Sequence, residues 1–424
     1  MRMKNLSSFA DESGGKPSGR YFVLSPKNIF FFFLLTSLVL IPNRIDAVGF
    51  RLPNQDPEGI ARGNAFVATA DNPSAIYYNP AGITQLKGQN LSAGIYFVSA
   101  GTEYESSTGA KAKTDTKFQP VPQLYYTGSI SNTPFYYGLG VYAPYGLGID
   151  YGKNPPFRTL VQSGKLLYAT VNPVIAWEIC PTLSIAAGPT INYSKAEFKQ
   201  GISPLSKTDQ FKFKGDDVDY GYNAGLRWQP LDKLAFGLKY FSATELDYHG
   251  KSEFRPYASE TDTHAAIQFP QSVTAGISFR PTENWNLEFN VDWTDWDTLD
   301  SIILKGTAPG LTTGSVTNTL NYKSSFMYEF GVTRKFGTNW FASVGYFFSE
   351  SSSPSRHFTP LVPDSDLHLV SAGFGRKGQR WDWAIGYTLA FSGDYKIKDN
   401  VSPSANGTYS AINHAINVST TLKF

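Results

Sequence analysis

The sequence predicts an all-β fold, a 14-stranded antiparallel transmembrane β-barrel whose lumen holds a small N-terminal helical hatch. Three observations lead to this prediction. Aromatic residues make up 15% of the 424-residue chain, which has 38 Gly and 26 Pro but only 3 Met, and this composition favours strands and tight turns. Segments in which apolar and polar residues alternate recur along most of the chain. Short and long polar links separate these segments in alternation.

The charge balance and the cysteine count exclude several classes of protein. Lys and Arg number 37 against 35 Asp and Glu, so the chain lacks the basic surplus of a nucleic-acid-binding protein, and no polybasic run marks a membrane-surface patch. Cys180 is the only cysteine, which excludes an intramolecular disulfide framework and a cysteine-based metal cluster. No cofactor, metal or nucleic-acid partner is therefore expected.

Residues 1–47 are predicted to be a secretory signal peptide. Basic residues precede one continuous apolar run, residues 28–41, which is about 14 residues long and falls short of the ~20 that a transmembrane helix needs. The sequence Ile45-Asp46-Ala47 then offers a small-residue ending for cleavage after Ala47. The chain is therefore expected to be exported, and no later apolar run could span a membrane as a helix.

Residues 48–90 break the alternation and are predicted to form the hatch. Asp56-Pro57-Glu58 places an N-cap, a first-turn proline and an acidic residue in order, which indicates a helix start. A second start is Asn72-Pro73-Ser74, and Asn79-Pro80-Ala81-Gly82 follows it. Helices this short bury too little surface to be stable alone, so we expect them to fill the lumen of the barrel. A periplasmic extension with ordinary turns is the alternative.

Residues 91–424 are predicted to form the barrel. In the last strand one face carries Ile412, Ile416, Val418, Leu422 and Phe424, and the other carries Asn413, Ala415, Asn417, Ser419, Thr421 and Lys423. The same alternation runs through residues 183–194, 285–293 and 381–391. Carboxylates and amides on the second face would be costly in the core of a β-sandwich but not in a wet lumen. Because every backbone N–H and C=O in a bilayer needs a partner, such strands must close into a ring.

Turn signals set the number of strands. Six short links are predicted at residues 131–134, 180–182, 230–233, 281–284, 337–339 and 377–379, and seven long ones near 104–117, 150–165, 200–217, 249–263, 298–320, 352–366 and 397–408. These links join fourteen strands, and an even number with short turns on one side is typical of outer-membrane barrels. Tryptophans lie beside the short turns, where an interfacial aromatic girdle would place them: Trp228, Trp285, Trp340 and Trp381.

Several segments, taken in order, resemble the FadL-type transporters of Gram-negative outer membranes. They are Val48-Gly49-Phe50, Asn79-Pro80-Ala81-Gly82, Asp216-Asp217, Gly221-Tyr222-Asn223-Ala224-Gly225, Gln229-Pro230, Asp292-Trp293-Thr294-Asp295-Trp296, residues 360–366 with His368, and the C-terminal Phe424. The resemblance covers nearly all of residues 48–424. It implies a monomer in the outer membrane, in contact with lipid and lipopolysaccharide and inserted by the barrel-assembly machinery, which reads Phe424.

The resemblance also implies a function, the passive uptake of hydrophobic small molecules. Long-chain fatty acids are the favoured ligands, and aromatic or alkane hydrocarbons are the alternative. A hydrophobic groove on the outside would capture the ligand and hand it to an internal pocket. From there it would leave sideways into the bilayer or onward to the periplasm, and the sequence leaves both the ligand and the exit open.

The predicted third strand, residues 135–147, supplies the first candidate site residues. Ala143, Pro144, Tyr145 and Gly146 lie within it, where a proline cannot donate to the sheet ladder and marks a break or a bulge. In the resembling family this strand is kinked inward and opens a gap in the wall. An ordinary bulge is the alternative.

The resemblance adds candidates in the hatch, and the loop after the kinked strand supplies two more. Phe50 is expected near the ligand, and Asn79 and Pro80, with Ala81 of the same motif, are expected to hold the fold of the hatch. Arg158 and Lys165 follow the kinked strand, among apolar residues, and are candidates for binding a carboxylate head. Ordinary solvation of these two cations is the alternative.

An enzyme, a general porin and an adhesin or phage receptor are the competing classes. A hydrolase needs a nucleophile, a base and an orienting group brought together. The five histidines lie on scattered segments without a nucleophile motif, so no enzymatic activity is expected: His249, His264, His357, His368 and His414. A general porin would conduct ions and have no plug, and a receptor role could coexist with transport.

Overall fold

The computed structural model describes residues 49–256, 259–306 and 315–424, and the predicted signal peptide lies outside these residues. Within them the strands are β1 (Gln89–Glu105), β2 (Lys111–Lys113), β3 (Gln119–Ser129), β4 (Phe135–Tyr142), β5 (Gly146–Asp150), β6 (Ser163–Cys180), β7 (Leu183–Gln200), β8 (Gln210–Leu231), β9 (Leu234–Phe241), β10 (Thr244–Arg255), β11 (Ser259–Phe269), β12 (Ser272–Thr282), β13 (Trp285–Thr294), β14 (Ser301–Lys305), β15 (Ser315–Thr319), β16 (Ser325–Phe336), β17 (Trp340–Ser349), β18 (Leu367–Lys377), β19 (Trp381–Phe391), β20 (Tyr395–Ile397) and β21 (Gly407–Lys423). Short 3-10 helices lie in the links, at Trp296–Thr298, Ser355–His357 and Pro403–Ala405. No helix in the described ranges combines the length and the apolar composition needed to cross a bilayer.

These strands close into one antiparallel ring, as the sequence predicts. Several consecutive strands are two pieces of the same wall strand: β2 with β3, β4 with β5, β9 with β10, β11 with β12, β13 with β14, β15 with β16, and β19 with β20. Counted in this way the wall has 14 strands. The ring closes where β21 pairs with β1 along its whole length, from Asn90 opposite Lys423 to Glu105 opposite Thr408. The prediction of a 14-stranded barrel is confirmed.

The two faces of the wall follow the predicted alternation. In β7 the residues Ile185, Ile191 and Tyr193 are exposed on the outer face, whereas Asn192 and Ser194 are buried inside. The predicted girdle residues are all exposed, between 38% and 55%, and stand beside the short turns: Trp228, Trp285, Trp340 and Trp381. An outer face of this kind suits hydrocarbon flanked by aromatic residues.

The long links predicted at 200–217, 249–263 and 298–320 are shorter in the structure, because strands extend into them. Strand β8 already begins at Gln210, and β10 and β11 pair continuously from Thr244 opposite Phe269 to Phe254 opposite Ser259. The reason is that polar side chains do not prevent backbone pairing. Above the membrane an antiparallel ladder satisfies N–H and C=O groups equally well with charged residues on its faces. Polarity in these segments therefore indicated exposure to water, not the end of a strand.

The hatch is built from three short helices, α1 (Pro57–Ile60), α2 (Ala75–Tyr78) and a 3-10 helix (Pro80–Gln85). The first predicted start is confirmed, because Asp56 caps α1 by accepting a hydrogen bond from the Glu58 N–H at 2.9 Å. At the second predicted start, the Asn72 side chain accepts from the Ser74 N–H at 2.9 Å and forms a turn just before α2. Nearly every hatch residue is buried, so the lumen provides the core that such short helices lack.

Glycines on the inner wall allow the hatch backbone to touch the wall backbone. A Cβ atom on Gly345 would lie 2.0 Å from the Gly63 nitrogen, and one on Gly237 would lie 2.2 Å from the Val67 oxygen. Similar clashes would occur with hatch atoms at other inward glycines, namely Gly138, Gly140, Gly225, Gly276, Gly331 and Gly373. At these eight positions the hatch lies so close to the wall that a side chain has no room.

Alanine at Gly345 is expected to loosen the hatch by about 1–3 kcal/mol, because an added methyl group must push backbone away from backbone. Hydrogen exchange of the hatch amides should accelerate, roughly tenfold for every 1.4 kcal/mol. Gly393→Ala is the matched control, since a Cβ there meets no atom within 4 Å. Equal exchange in the two variants would show that the hatch is not held by this contact.

Candidate functional site

The third wall strand is interrupted at residues 143–145, and the start of the hatch pairs with the interruption. Leu52 donates its N–H to the Pro144 oxygen at 2.7 Å, and Gly146 donates its N–H to the Phe50 oxygen at 2.8 Å. The hatch segment 50–52 thereby forms a short antiparallel ladder with residues 144–146, centred on Arg51 and Tyr145. The break lies between β4 and β5, where the sequence predicts it.

The wall parts beside this interruption. Strand β4 pairs with β3 only from Leu124 opposite Val141 onward, while β5 pairs with β6. In the described residues, the stretch of β3 from Pro120 to Gln123 pairs with β1 on one side and has no ladder partner on the other. A backbone stretch that lacks a neighbour on one side marks a gap between β3 and β5.

An internal aromatic cluster surrounds the start of the hatch. It consists of Phe50, Tyr145, Tyr168, Phe269 and Trp296, each at most 9% exposed. The Phe50 ring lies 5.4 Å from Phe269 and 5.0 Å from Trp296, and Tyr145 lies 4.9 Å from Phe269, all edge to face. The cluster is enlarged by apolar residues from the surrounding strands, including Leu147, Leu166, Leu246, Tyr248 and Leu304.

A second apolar cluster lies on the side of the long loops. This loop-side cluster contains Tyr104, Ile149, Tyr151, Phe157, Val161, Phe358, Ile397 and Tyr409, all buried. Phe198 and Leu361 pack against both the loop-side cluster and the internal aromatic cluster. Apolar side chains are therefore in continuous contact from the loops to the hatch.

Two arginines of the hatch form buried ion pairs with strand β13. Arg51 holds Asp292 with both terminal nitrogens, at 2.5 and 2.8 Å, and also donates to Thr294 at 2.6 Å. Arg62 lies 3.2 Å from Glu288, and the Ala68 N–H donates to the same carboxylate at 2.7 Å. The alternation suggested that the inward carboxylates of β13 would be solvated in a wet lumen, and this expectation is wrong. They are buried against the hatch and paired with its cations.

Two further carboxyl groups tie the hatch to itself and to a loop. Burial, with the neighbouring Glu58, raises the pKa of Asp56 to about 7. Asp364 accepts hydrogen bonds from the N–H groups of Gly49 at 3.1 Å and Ser352 at 2.6 Å, and burial raises the pKa of its carboxyl group. Asp364 therefore anchors the first described residue of the hatch to the loop before β18.

The remaining predicted hatch residues lie away from the internal aromatic cluster. The Asn79 side chain donates to the backbone oxygens of Val67 at 2.8 Å and Leu226 at 3.0 Å, and it accepts from the Ala81 N–H at 3.2 Å. Pro80 opens the 3-10 helix directly after it. This geometry joins the hatch to itself and to β8, as expected for residues that hold its fold.

The two predicted head-group cations are separated by the structure. Arg158 is buried and its guanidinium donates to the side chain of Asp209 at 2.7 Å and to the Asp209 backbone oxygen at 2.8 Å. Lys165 lies on the outer face of β6, since its neighbour Leu166 points into the barrel. Ligand contact by either residue stays a prediction, and contact by Arg158 would require Asp209 to move.

A polar cavity of about 370 Å³ separates part of the hatch from the wall on the short-turn side. Its lining is rich in charge and includes Glu58, Arg62, Asp71, Arg280, Lys335 and Lys377. Lys377 reaches both Glu58, at 3.0 Å, and Asp71, at 3.4 Å. The surroundings of the hatch are therefore apolar toward the loops and charged toward the short turns.

Sequence reasoning missed Arg51 and Arg62 and their pairing with Asp292 and Glu288. The available signal was the pair of carboxylates Glu288 and Asp292, four residues apart on the inward face of one strand. Isolated arginines in an otherwise small and apolar hatch were the complementary signal. Matching the two requires knowing that the hatch lies against β13, which no local pattern states.

Comparison with known proteins agrees with this architecture. Residues 38–424 match the family described as outer membrane protein transport protein (OMPP1/FadL/TodX). A "Long-chain fatty acid transport protein" of Escherichia coli O6:H1 (strain CFT073) is 24% identical over 395 residues, covering 80% of this chain and 86% of the relative.

Two solved structures share the fold. One is the crystal structure of a Pseudomonas aeruginosa FadL homologue, with a TM-score of 0.79 at 16% identity. The superposition covers 89% of this chain and 100% of the homologue. The Ralstonia pickettii toluene transporter TbuX has a TM-score of 0.67 at 17% identity and covers 88% and 99%. The chain is therefore a Gram-negative outer-membrane barrel that belongs to the OMPP1/FadL/TodX family of outer membrane transport proteins.

Proposed function

We propose that this protein takes up hydrophobic small molecules across the outer membrane by diffusion, with long-chain fatty acids as its favoured ligands. The observation that carries the proposal is the continuous apolar contact from the loop-side cluster through Phe198 and Leu361 to the internal aromatic cluster. Burying an acyl chain along this path gains roughly 0.8 kcal/mol per CH₂. Polar solutes would gain nothing from such a lining.

The internal aromatic cluster is the proposed ligand site, and Phe50 is the proposed gate. The cluster is packed, so a ligand enters by displacing rings. Phe50 is the ring in this cluster that belongs to the hatch, and its backbone oxygen accepts from Gly146 in the interrupted strand. Displacing Phe50 would therefore strain the ladder between residues 50–52 and 144–146. Ligand binding and the wall gap are coupled through this ladder.

The chemistry of the two exits favours a sideways release into the bilayer. Ala143 packs against a buried apolar cluster that includes Leu52, Val98 and Val121, next to the gap between β3 and β5. The cavity on the short-turn side is lined by charged groups instead. An acyl chain passing through that cavity would lose the burial gained above, so the periplasmic route is disfavoured.

Aromatic or alkane hydrocarbons are the second candidate ligands. The names of relatives point both ways, since one is a long-chain fatty acid transport protein and another is a toluene transporter. Binding of a ligand carboxylate by Arg158, in place of the Asp209 carboxylate, would favour a fatty acid over a hydrocarbon. Neither ligand requires a reaction, and the proposal includes no enzymatic activity.

The outer surface of the barrel determines its expected contacts with lipid, with the assembly machinery and with other copies. The exposed outer face, with its tryptophan girdle, is suited to contact with outer-membrane lipid and lipopolysaccharide. Phe424 is 66% exposed and would be accessible to the barrel-assembly machinery. In the part of the wall that the structure describes, the ring closes between β1 and β21, and the stretch of β3 that lacks a neighbour beside the gap is short, which supports a monomer.

Replacing Leu246 with asparagine is expected to weaken oleate binding about 5- to 150-fold, because a buried amide adds about 1–3 kcal/mol of desolvation cost to the apolar site. Leu246 is 0% exposed within the internal cluster. Titration of detergent-solubilised protein with oleate measures the effect. Leu205→Asn, at a loop residue that is 94% exposed, is the matched control. Leu246→Met, which conserves volume, should bind oleate nearly as well as the parent protein.

Uptake separates the ligand classes. In Gram-negative cells lacking their own long-chain fatty acid transporter, the parent protein should support uptake of oleate, and Leu246→Asn should reduce it. Toluene uptake without oleate uptake would favour the hydrocarbon alternative. Uptake of a sugar as fast as oleate, or equal oleate binding by Leu246→Asn and the parent protein, would contradict the proposed function.

A further inference from the structure

Three potential metal ligands meet on the outer surface of the barrel, away from the proposed ligand site. Asp247 and His249 lie two residues apart on β10 and share its outer face. His264 on β11 lies directly opposite His249 in the antiparallel register. Side chains at directly opposite positions stand about 4.5–5.5 Å apart at Cβ, which is close enough to hold one ion between them.

The distances within this trio suit a small cation. The rings of His249 and His264 have centroids 4.5 Å apart and stand nearly perpendicular, at 83°. The His249 Nε2 atom lies 4.0 Å from the Asp247 carboxylate, and all three ligand atoms lie within 4.8 Å of one another. A tetrahedral zinc site needs about 3.4 Å between ligand atoms, given metal–ligand bonds of roughly 2.0–2.2 Å.

The distances between the three ligand atoms can shorten from at most 4.8 Å to about 3.4 Å because the side chains are exposed and can rotate. The side chains of His249 and Asp247 are 61% and 59% exposed. The Asp247 backbone is fixed, since its N–H donates to the Asp217 side chain at 2.8 Å. Side-chain rotation about a fixed backbone therefore brings the three ligand atoms together without moving the wall.

The position of the trio keeps it accessible to ions in water. The outer face of the same wall strand is apolar at Leu238, but it becomes charged from Glu245 onward. The trio thus lies on the loop side of the apolar band. Along the same rung, Asp216 stands opposite His249 and Lys305 stands opposite His264. One carboxylate and one ammonium flank the trio along this rung, and Asp217 adds a further carboxylate beside Asp247.

We propose that Asp247, His249 and His264 form a binding site for a divalent transition metal, with Zn²⁺ as its best-fitting ion. Two imidazoles and one carboxylate are ligands that zinc accepts, and they leave a fourth tetrahedral position for water. Hard cations such as Mg²⁺ prefer oxygen ligands and would bind poorly. The bound metal links β10 to β11 beside the stretch where Asp217 and Asp219, rather than backbone oxygens, accept the N–H groups of β10.

Zinc titration by calorimetry tests this site in the folded, detergent-solubilised protein carrying no histidine tag. One Zn²⁺ per chain is expected, and His249→Asn or His264→Asn should each weaken its binding at least roughly tenfold. His414→Asn is the matched control, because His414 is also exposed on the outer face but hydrogen-bonds to Tyr387 on another part of the wall. It should leave zinc binding unchanged. Mg²⁺ should give no measurable heat at the same concentration.

Spectroscopy provides a second measurement. Cu²⁺ added at one equivalent should show two coordinating nitrogens by electron paramagnetic resonance in the parent protein, and fewer in either single variant. Heat-modifiable gel mobility shows that each variant is still a folded barrel. Zinc binding that is undiminished in the His249→Asn/His264→Asn double variant, or absent from the parent protein, would overturn the proposal.

Discussion

Replacing Asp292 with alanine is expected to destabilise the docked hatch by about 3–5 kcal/mol, because it leaves the Arg51 guanidinium buried without its counter-ion. Arg51 is 4% exposed and Asp292 is 2% exposed, so water cannot substitute for the lost carboxylate. Hydrogen exchange of hatch amides near Arg51 should become at least a hundredfold faster. Planar bilayer recordings should show transient openings that the parent protein lacks.

Two controls separate loss of the ion pair from general damage to the barrel. Glu105→Ala removes one partner of an exposed pair with Lys111, whose side chains are 54% and 70% exposed, and should cost at most about 1 kcal/mol. Arg51→Met together with Asp292→Leu replaces both charges by apolar groups and should restore much of the lost stability. If the hatch amides exchanged no faster in Asp292→Ala than in Glu105→Ala, the ion pair between Arg51 and Asp292 would not hold the hatch.

Deleting residues 49–86 is expected to turn a closed barrel into a conducting pore. A lumen enclosed by fourteen strands approaches the size at which barrels hold aqueous channels, and in this protein the hatch fills it. Single-channel conductance in planar bilayers should rise by at least roughly tenfold over the parent protein. Strand β1 begins at Gln89, so the ladder that closes the ring with β21 is retained.

The deleted protein must be shown to be folded before its conductance is interpreted. Heat-modifiable gel mobility and a β-rich far-UV spectrum serve this purpose. Its oleate binding should also fall, since the deletion removes Phe50 from the internal aromatic cluster. An unchanged conductance in a folded deletion protein would mean that the hatch does not close the lumen. That result would favour a barrel narrowed by its loops or wall side chains instead.

The deletion and the Asp292→Ala variant probe different steps. The deletion asks whether the hatch fills the lumen, and the substitution asks what keeps it there. A large conductance change in the deletion with none in Asp292→Ala would leave Arg62, Glu288 and the inward glycines as the principal attachments. The Gly345→Ala variant then distinguishes between these attachments, because it disturbs backbone contact without changing charge.

Local sequence patterns predicted most of the wall. A period of two residues assigns each side chain in β7, β13, β19 and β21 to the inner or outer face, because consecutive residues of a strand point in opposite directions. Turn residues then located the short links and so the number of strands. Strand ends above the membrane were less well predicted, since charged residues pair as readily as apolar ones there.

Part of the candidate site was also predictable. Pro144 cannot donate to a ladder, so the break in the third strand could be expected from the sequence. Asp56 and Asn79 each accept a hydrogen bond from an N–H two positions ahead, which local reasoning captures well, whereas the bond from Asn79 to Leu226 is not local. The resemblance contributed Phe50, which the sequence around it would not have singled out.

The tertiary structure alone decided what the inward polar residues and the hatch cations do. Arg51 and Asp292 are 241 positions apart in the chain, and Arg62 and Glu288 are 226 apart. Alternation shows that Asp292 points into the lumen but cannot show whether water or an arginine meets it there. The inward or outward orientation of a strand side chain and the position of a turn depend on residues close in sequence, so local patterns predict them. Pairings across the lumen depend on how the hatch docks in the closed ring, and only the assembled fold determines them.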